Sequence, residues 1–93
     1  MILHTLQENA DYEAALRCCL RYIAPQDTLL LYGDAINLLL QTHWQNQLAQ
    51  TQVLLLKDAV KARGLTDYLH SYKQITSAEF VEQTLLHSKV ISW

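Results

Sequence analysis

The stretch TLLLYGDAINLLL, residues 28–40, decides the fold of this 93-residue chain. Its first half is a short run of leucines, which is typical of a strand that is covered on both faces of a sheet. Gly33 and Asp34 interrupt the run, and the pattern of residues 34–44 predicts a helix. A buried strand that leads directly into a helix is the repeating unit of parallel α/β sheets.

The same strand–helix unit recurs along the whole chain. Strands are predicted at MILHTL (1–6), TLLLYG (28–33), TQVLLLK (51–57), YKQIT (72–76) and KVISW (89–93), and helices at residues 9–24, 34–44, 58–64 and 77–87. We expect Asn9 and Ser77 as N-caps and Gly64 as a left-handed C-cap. Asp34 and Asp58 each follow an apolar strand, and we interpret both as N-caps. The alternation predicts one α/β domain over residues 1–93, with a mostly parallel sheet between helix layers.

The composition excludes several classes of function. Hydrophobic residues make up 51% of the chain and charged residues only 17%, against about 25% charged in an average soluble domain. That apolar surplus suggests that a partner subunit covers part of the surface. Seven basic residues scattered among nine acidic ones argue against direct nucleic-acid binding. The apolar runs are shorter than the ~18 residues of a membrane span, and the start predicts no signal peptide.

Motifs for nucleotide, hydrolase or metal chemistry do not occur. The glycines are Gly33 and Gly64 alone, which excludes a Gly-rich phosphate loop, and there is no GxSxG or HExxH. Neither CxxC nor a paired Cys/His spacing appears, so we expect no metal and no cofactor. The histidines are His4, His43, His70 and His87. His4 shares strand parity with Ile2 and Leu6, which favours a hydrogen-bonded structural histidine over a general base.

Cys18 and Cys19 are the only cysteines, and they are adjacent. A bridge between neighbours closes almost no loop, so the pair indicates free thiols in a reducing, cytoplasmic compartment. Helical spacing predicts one apolar stripe made of Tyr12, Leu16, Cys19, Leu20 and Ile23. Cys19 is therefore predicted to be a small buried hydrophobe. Cys18 lies off the stripe with Arg21 three residues on, and a nearby cation favours a thiolate. Two unreactive thiols are the alternative.

Trp44 and Trp93 are candidate interface residues, because tryptophan is enriched in binding hot spots. For Trp44, packing in the core is an equal alternative. Trp93 is the last residue of the chain and has little core left to enter. We therefore favour a contact surface for Trp93.

Several blocks of sequence occur in a characteristic order. They are ILHTL (2–6), LLLYGDAI (29–36), LKDAVKARGL (56–65), EFVEQTLLH (79–87) and the closing Trp93, of which LHTL, ARGL and the final aromatic are the most specific. In this order and spacing the chain resembles the DsrH/TusB family over essentially its whole length. The resemblance implies a three-layer α/β/α domain with a mostly parallel five-stranded sheet. It also implies a heterohexamer with TusC/TusD-like (DsrF/DsrE-like) sister subunits.

The resemblance further implies a role in sulfur transfer. TusBCD complexes take persulfide sulfur and pass it to TusE, which supplies synthesis of 2-thiouridine at the tRNA wobble position. DsrEFH complexes, which deliver to DsrC-like acceptors, serve sulfur oxidation. The sulfur-carrying cysteine of these complexes belongs to the D or E subunit, in a loop after a strand, and this sequence has no such cysteine. DsrH-type members have a cysteine in the first helix that Cys19 matches, whereas many TusB-type members have an apolar residue there.

Three hypotheses follow from the sequence. The first is a sulfur-relay subunit that supports tRNA 2-thiolation without being catalytic alone. The second is a DsrH-like subunit of a sulfur-oxidation complex in which Cys19, or Cys18, carries a persulfide. The third is a stand-alone homo-oligomeric interaction protein with inert cysteines.

Overall fold

Five parallel strands form a single sheet in the computed structural model, which describes residues 1–6 and 12–93. The strands are β1 (Ile2–Leu6), β2 (Thr28–Leu31), β3 (Gln52–Leu56), β4 (Lys73–Ile75) and β5 (Lys89–Ser92). They lie in the order β4-β3-β2-β1-β5, and every neighbouring pair is parallel. The predicted α/β fold is confirmed, and the sheet is parallel throughout rather than mostly parallel.

The helices connect the strands as the alternation predicts. They are α1 (Tyr12–Tyr22), a 3-10 helix (Gly33–Leu40), α2 (Thr42–Gln47), α3 (Lys57–Ala62) and α4 (Ser77–Leu86). The single helix predicted for residues 34–44 is therefore two helices. Gln41 separates them, because its backbone is extended, with φ −101° and ψ 125°. Asn9, the predicted N-cap of α1, lies outside the described residues.

The cap of α4 is one residue earlier than predicted. Thr76, not Ser77, is the N-cap: its hydroxyl accepts a hydrogen bond from the Glu79 backbone N–H at 3.2 Å. The Glu79 carboxylate in turn accepts one from the Thr76 backbone N–H at 3.0 Å. This reciprocal pair is a capping box, and its threonine-to-glutamate spacing fixes where the helix begins.

The other turn residues divide into one confirmed prediction and two wrong ones. Gly64 follows α3 with φ +66°, the left-handed conformation that glycine adopts without a steric penalty, as predicted. Asp34 and Asp58 lie within the first turns of their helices, and the cap positions belong to Tyr32 and Leu56. The Asp34 carboxylate instead accepts a hydrogen bond from the guanidinium of Arg63.

The two faces of the sheet differ in how many buried apolar side chains pack against them. Every residue of β2 is buried, as expected for a strand covered on both faces. On one face α1, the 3-10 helix, α2 and α3 pack over the large core cluster, which consists of Leu6, Leu16, Cys19, Leu29, Leu31, Ala35, Ile36, Leu38, Leu39, Trp44, Leu48, Val53, Leu55, Val60 and Leu69. On the other face the buried cluster consists of Leu3, Leu30, Leu54 and Ile75, against which two half-buried side chains pack, Tyr32 and, from α4, Phe80.

Helix α4 and strand β5 therefore present apolar side chains to solvent. No described residue of α4 is buried. We call the exposed apolar side chains Val81, Leu85, Leu86 and Val90 the α4/β5 surface, and their exposed fractions are 58%, 80%, 67% and 40%. No helix among the described residues is long and apolar enough to cross a membrane.

Candidate functional site

The two adjacent thiols lie in opposite environments. Cys19 is 0% exposed and belongs to the large core cluster, as its place on the apolar stripe predicts. Burial, with a smaller contribution from the negative charge of Asp27, raises the pKa of the Cys19 thiol to about 12. The side chain of Cys18, in contrast, is exposed to solvent. The geometry therefore gives Cys19 a packing role and leaves Cys18 as the accessible thiol.

This difference predicts the reactivity of the folded protein. With a pKa near 12, Cys19 has a thiolate fraction of about 10⁻⁴ at pH 8, and no path for the reagent reaches it. We expect native protein to react with one equivalent of iodoacetamide, at Cys18, and protein in urea to react with two. Peptide mass spectrometry identifies the labelled residue. Equal labelling of both cysteines in the native state would contradict the burial of Cys19.

A buried polar cluster joins the start and the end of the described chain. The Asp27 carboxylate accepts hydrogen bonds from the backbone N–H groups of Ile2, at 2.9 Å, and Ala24, at 3.0 Å. Its Oδ2 lies 3.0 Å from Nε2 of His4. Both side chains are almost completely buried. Asp27 thus connects β1 to the turn that leads into β2.

Trp93 determines the tautomer of His4. The indole Nε1–H of Trp93 donates to His4 Nδ1 at 3.1 Å, and an indole nitrogen is only a donor. His4 Nδ1 must therefore be the unprotonated nitrogen, so that Nε2–H donates to Asp27. His4 is the hydrogen-bonded structural histidine that its strand parity predicts, and Asp27, His4 and Trp93 form one continuous chain of hydrogen bonds.

The charge on Asp27 predicts how stability depends on pH. Burial alone would raise the pKa of Asp27, but hydrogen bonds from Ala24, His4 and Ile2 outweigh it and lower the pKa from 3.8 to about 2. Because the folded pKa lies below the unfolded one, the stabilisation is complete above pH ~4 and is lost as the pH falls towards 2. We expect the free energy of unfolding to fall by about 2 kcal/mol across this window.

Urea unfolding at pH 5, 4, 3 and 2 measures this change. In an Asp27→Asn variant the same step should be missing, because the amide does not titrate in this window. Equal acid sensitivity of the variant and the wild type would contradict the assignment to Asp27.

The two tryptophans occupy different depths. Trp44 is 2% exposed and belongs to the large core cluster. Trp93 is half-buried: it packs against the same cluster, and its ring stacks 6.2 Å from that of His4. Trp93 thus packs against more of the core than its position at the end of the sequence suggests. Contact with a partner stays a prediction for both residues.

Sequence reasoning missed Asp27 and His87. His87 is buried between α4 and the sheet, where its Nδ1–H donates to the Gln83 carbonyl at 2.7 Å and its Nε2 lies 3.0 Å from the Thr28 hydroxyl. Thr28 is far away in sequence, so no local pattern indicates the pairing. In residues 1–6 and 12–93, no group of three or more His, Cys, Asp or Glu side chains could hold a metal ion.

Comparison with known proteins places the chain in a family. A search of the curated proteins found no match. The family model described as "DsrH like protein" matches residues 10–90, which include both cysteines, the ARGL block and all of α4. That family is associated with sulfur relay, in complexes with DsrE- and DsrF-like subunits. This chain belongs to the DsrH-like family.

Proposed function

We propose that this chain is a structural subunit of a sulfur-relay complex that supports 2-thiolation of the wobble uridine of tRNA. The observation that carries the proposal is the burial of Cys19, whose thiol pKa is about 12. A sulfur acceptor attacks as a thiolate, which Cys19 hardly forms in the isolated chain. Cys19 thus acts as the apolar residue that the resemblance implies for many TusB-type proteins at this position.

The contribution of the chain is then to assembly rather than to chemistry. The α4/β5 surface supports this role, because large apolar side chains exposed on a small protein are candidates for contacts with other proteins. In this proposal it meets a TusC- or TusD-like sister subunit in the cytoplasm. The sister subunit supplies the reactive cysteine and passes sulfur to a TusE-like acceptor.

Deletion of the gene, followed by rescue with variants, tests the function. We expect tRNA from the deletion strain to lack 2-thiouridine by mass spectrometry. A variant without cysteines, Cys18→Ser with Cys19→Ala, should restore it when its expression matches that of the wild type. Normal 2-thiouridine in the deletion strain would overturn the proposal. Rescue by the wild type but not by the variant, with the complex intact, would show a chemical role for the cysteines.

Co-purification tests the assembly separately. With an affinity tag on a sister subunit, wild-type chain should be retained and a Leu86→Asp variant should be lost, since the added charge would have to be desolvated in the interface. Gln50→Asp is the matched control, because Gln50 is also exposed but lies in the turn before β3, outside α4 and β5. Equal retention of both variants would show that the α4/β5 surface is not part of the interface.

A second candidate function rests on the exposure of Cys18. In this alternative the chain is a DsrH-like subunit of a sulfur-oxidation complex, and Cys18, or Cys19 once partner subunits open a path to it, carries a persulfide. Mass spectrometry after incubation of the complex with a persulfide donor tests it. A gain of one sulfur atom that disappears in the Cys18→Ser or the Cys19→Ala variant identifies the carrier, and no gain on either cysteine excludes the alternative.

A further inference from the structure

A cleft between α1 and α2 has the composition of a binding site for an anion. Its volume is about 310 Å³, and it is lined by Arg17, Leu20, Arg21, His43, Trp44 and Gln47. Each helix contributes two polar side chains that are four residues apart. Helix α1 provides the two arginines, and α2 provides His43 and Gln47. Leu20 and Trp44 form the apolar part of the cleft. The lining therefore combines hydrogen-bond donors with an apolar wall and contains no carboxylate.

The two arginines lack an acidic partner among the described residues. The chain has three arginines, and in the part of the chain that the structure describes Arg63 is the one in a salt bridge with a carboxylate, that of Asp34. Arg17 lies over the Trp44 ring, 5.7 Å from its centroid, and Arg21 is exposed. Two guanidinium groups one helical turn apart repel each other unless an anion lies between them.

The nearest described carboxylate on α1 is engaged elsewhere. Glu13 precedes Arg17 by one turn, but its Oε1 accepts hydrogen bonds from Gln41 Nε2, at 3.3 Å, and from the Trp44 indole N–H, at 3.5 Å. Both donors belong to the α2 side of the cleft. Glu13 therefore helps to hold α2 against α1, and within residues 1–6 and 12–93 no carboxylate forms a salt bridge with Arg17 or Arg21.

We propose that this cleft binds a small organic anion, in which a phosphate, sulfonate or carboxylate group is attached to an apolar part. Arg17 and Arg21 bind the oxygen atoms through charge-assisted hydrogen bonds, and Gln47 adds an amide donor. The volume lies at the lower end of the range for small-molecule sites and exceeds what one isolated oxyanion fills. The apolar part of the ligand accordingly packs on half-buried Leu20, beside the largely buried Trp44. This binding is independent of the proposed role in sulfur relay.

Titration of the full-length chain with three probes tests the site. We expect phenyl phosphate to bind, inorganic phosphate to bind about tenfold more weakly, and benzyl alcohol to show no saturable binding, because the cleft needs both charge and apolar contact. Heteronuclear NMR should show the largest shifts at the backbone amides of α1 and α2. An affinity for phenyl phosphate that does not fall with added salt would contradict recognition of its charge.

Two variants and a control locate the binding. Arg21→Gln should lower the affinity for phenyl phosphate at least about tenfold, which is the effect of losing one charge-assisted hydrogen bond. Arg17→Lys keeps the charge but loses the planar donor geometry and should weaken it severalfold. Lys61→Gln on α3 removes an exposed charge outside the cleft and should leave the affinity unchanged. Wild-type affinity in Arg21→Gln, or no binding of phenyl phosphate to folded wild type at 10 mM, would overturn the proposal.

Discussion

Replacing Asp27 by alanine is expected to lower the free energy of unfolding by about 3–5 kcal/mol, because it removes a buried carboxylate that accepts three hydrogen bonds. The methyl group leaves three hydrogen-bond donors without an acceptor: the backbone N–H groups of Ile2 and Ala24, and Nε2–H of His4. A buried donor without a partner, as His4 Nε2–H would be, costs about 1–3 kcal/mol, and the part-buried N–H groups of Ile2 and Ala24 cost less. Because native proteins are stable by only about 5–15 kcal/mol, this loss is a large fraction of the total stability.

Urea unfolding monitored by circular dichroism measures this loss. Asp67→Ala is the matched control, since Asp67 is exposed and its replacement should change stability by no more than about 0.5 kcal/mol. The loss of stability in Asp27→Asn should lie between those of Asp27→Ala and Asp67→Ala, because the amide oxygen can still accept from one or two of the donors. A loss below about 1 kcal/mol for Asp27→Ala would mean that water replaces the carboxylate and that the cluster is not structural.

Truncation of Leu31 to alanine is the second large change, with an expected loss of about 2–5 kcal/mol. Leu31 lies on β2, the middle strand of the sheet, and is 0% exposed within the large core cluster. Neighbours on a strand that is hydrogen-bonded on both sides cannot move in to fill the space, so the cavity should persist.

Leu85→Ala is the matched control, because it is the same leucine-to-alanine truncation at an exposed position. Leu85 is 80% exposed on α4, so the same truncation should change the free energy of unfolding by no more than about 0.5 kcal/mol. In the assembled complex, however, Leu85→Ala should weaken the contact with the sister subunit if the α4/β5 surface is an interface. Equal losses of stability for Leu31→Ala and Leu85→Ala in the isolated chain would contradict the burial pattern of the sheet.

The sequence predicts the elements of the fold because they depend on local patterns. The leucine run of β2 and the helical spacing around Cys19 are local signals, and the burial of β2, Leu16 and Cys19 is found as predicted. The division of residues 34–44 at Gln41 was missed, because an extended residue between two short helices leaves the apolar pattern almost unchanged. The cap of α4 was misplaced by one residue, since Thr76 and Ser77 are both good N-caps and only the position of Glu79 distinguishes them.

The polar cluster could be predicted only in part. Strand parity indicates that His4 points towards the core, but nothing local indicates that Asp27 lies beside it or that Trp93 lies against it. These contacts join residues that are 23 and 89 positions apart, and they depend on the order of strands in the sheet. The cleft between α1 and α2 was missed for the same reason, because its two arginines and His43 come together only when the helices pack.

The position of β1 between β2 and β5 has a consequence for how the protein is made. Residues 2–6 leave the ribosome well before residues 89–92, so one side of their strand stays unpaired until β5 has been synthesised. At typical translation rates, that interval after completion of β2 lasts about 3–12 s. During this time β1 is an open sheet edge, the feature through which nascent chains aggregate. Since contacts this distant also form slowly, we expect the yield of folded protein to depend on chaperones that bind the chain before β5 emerges.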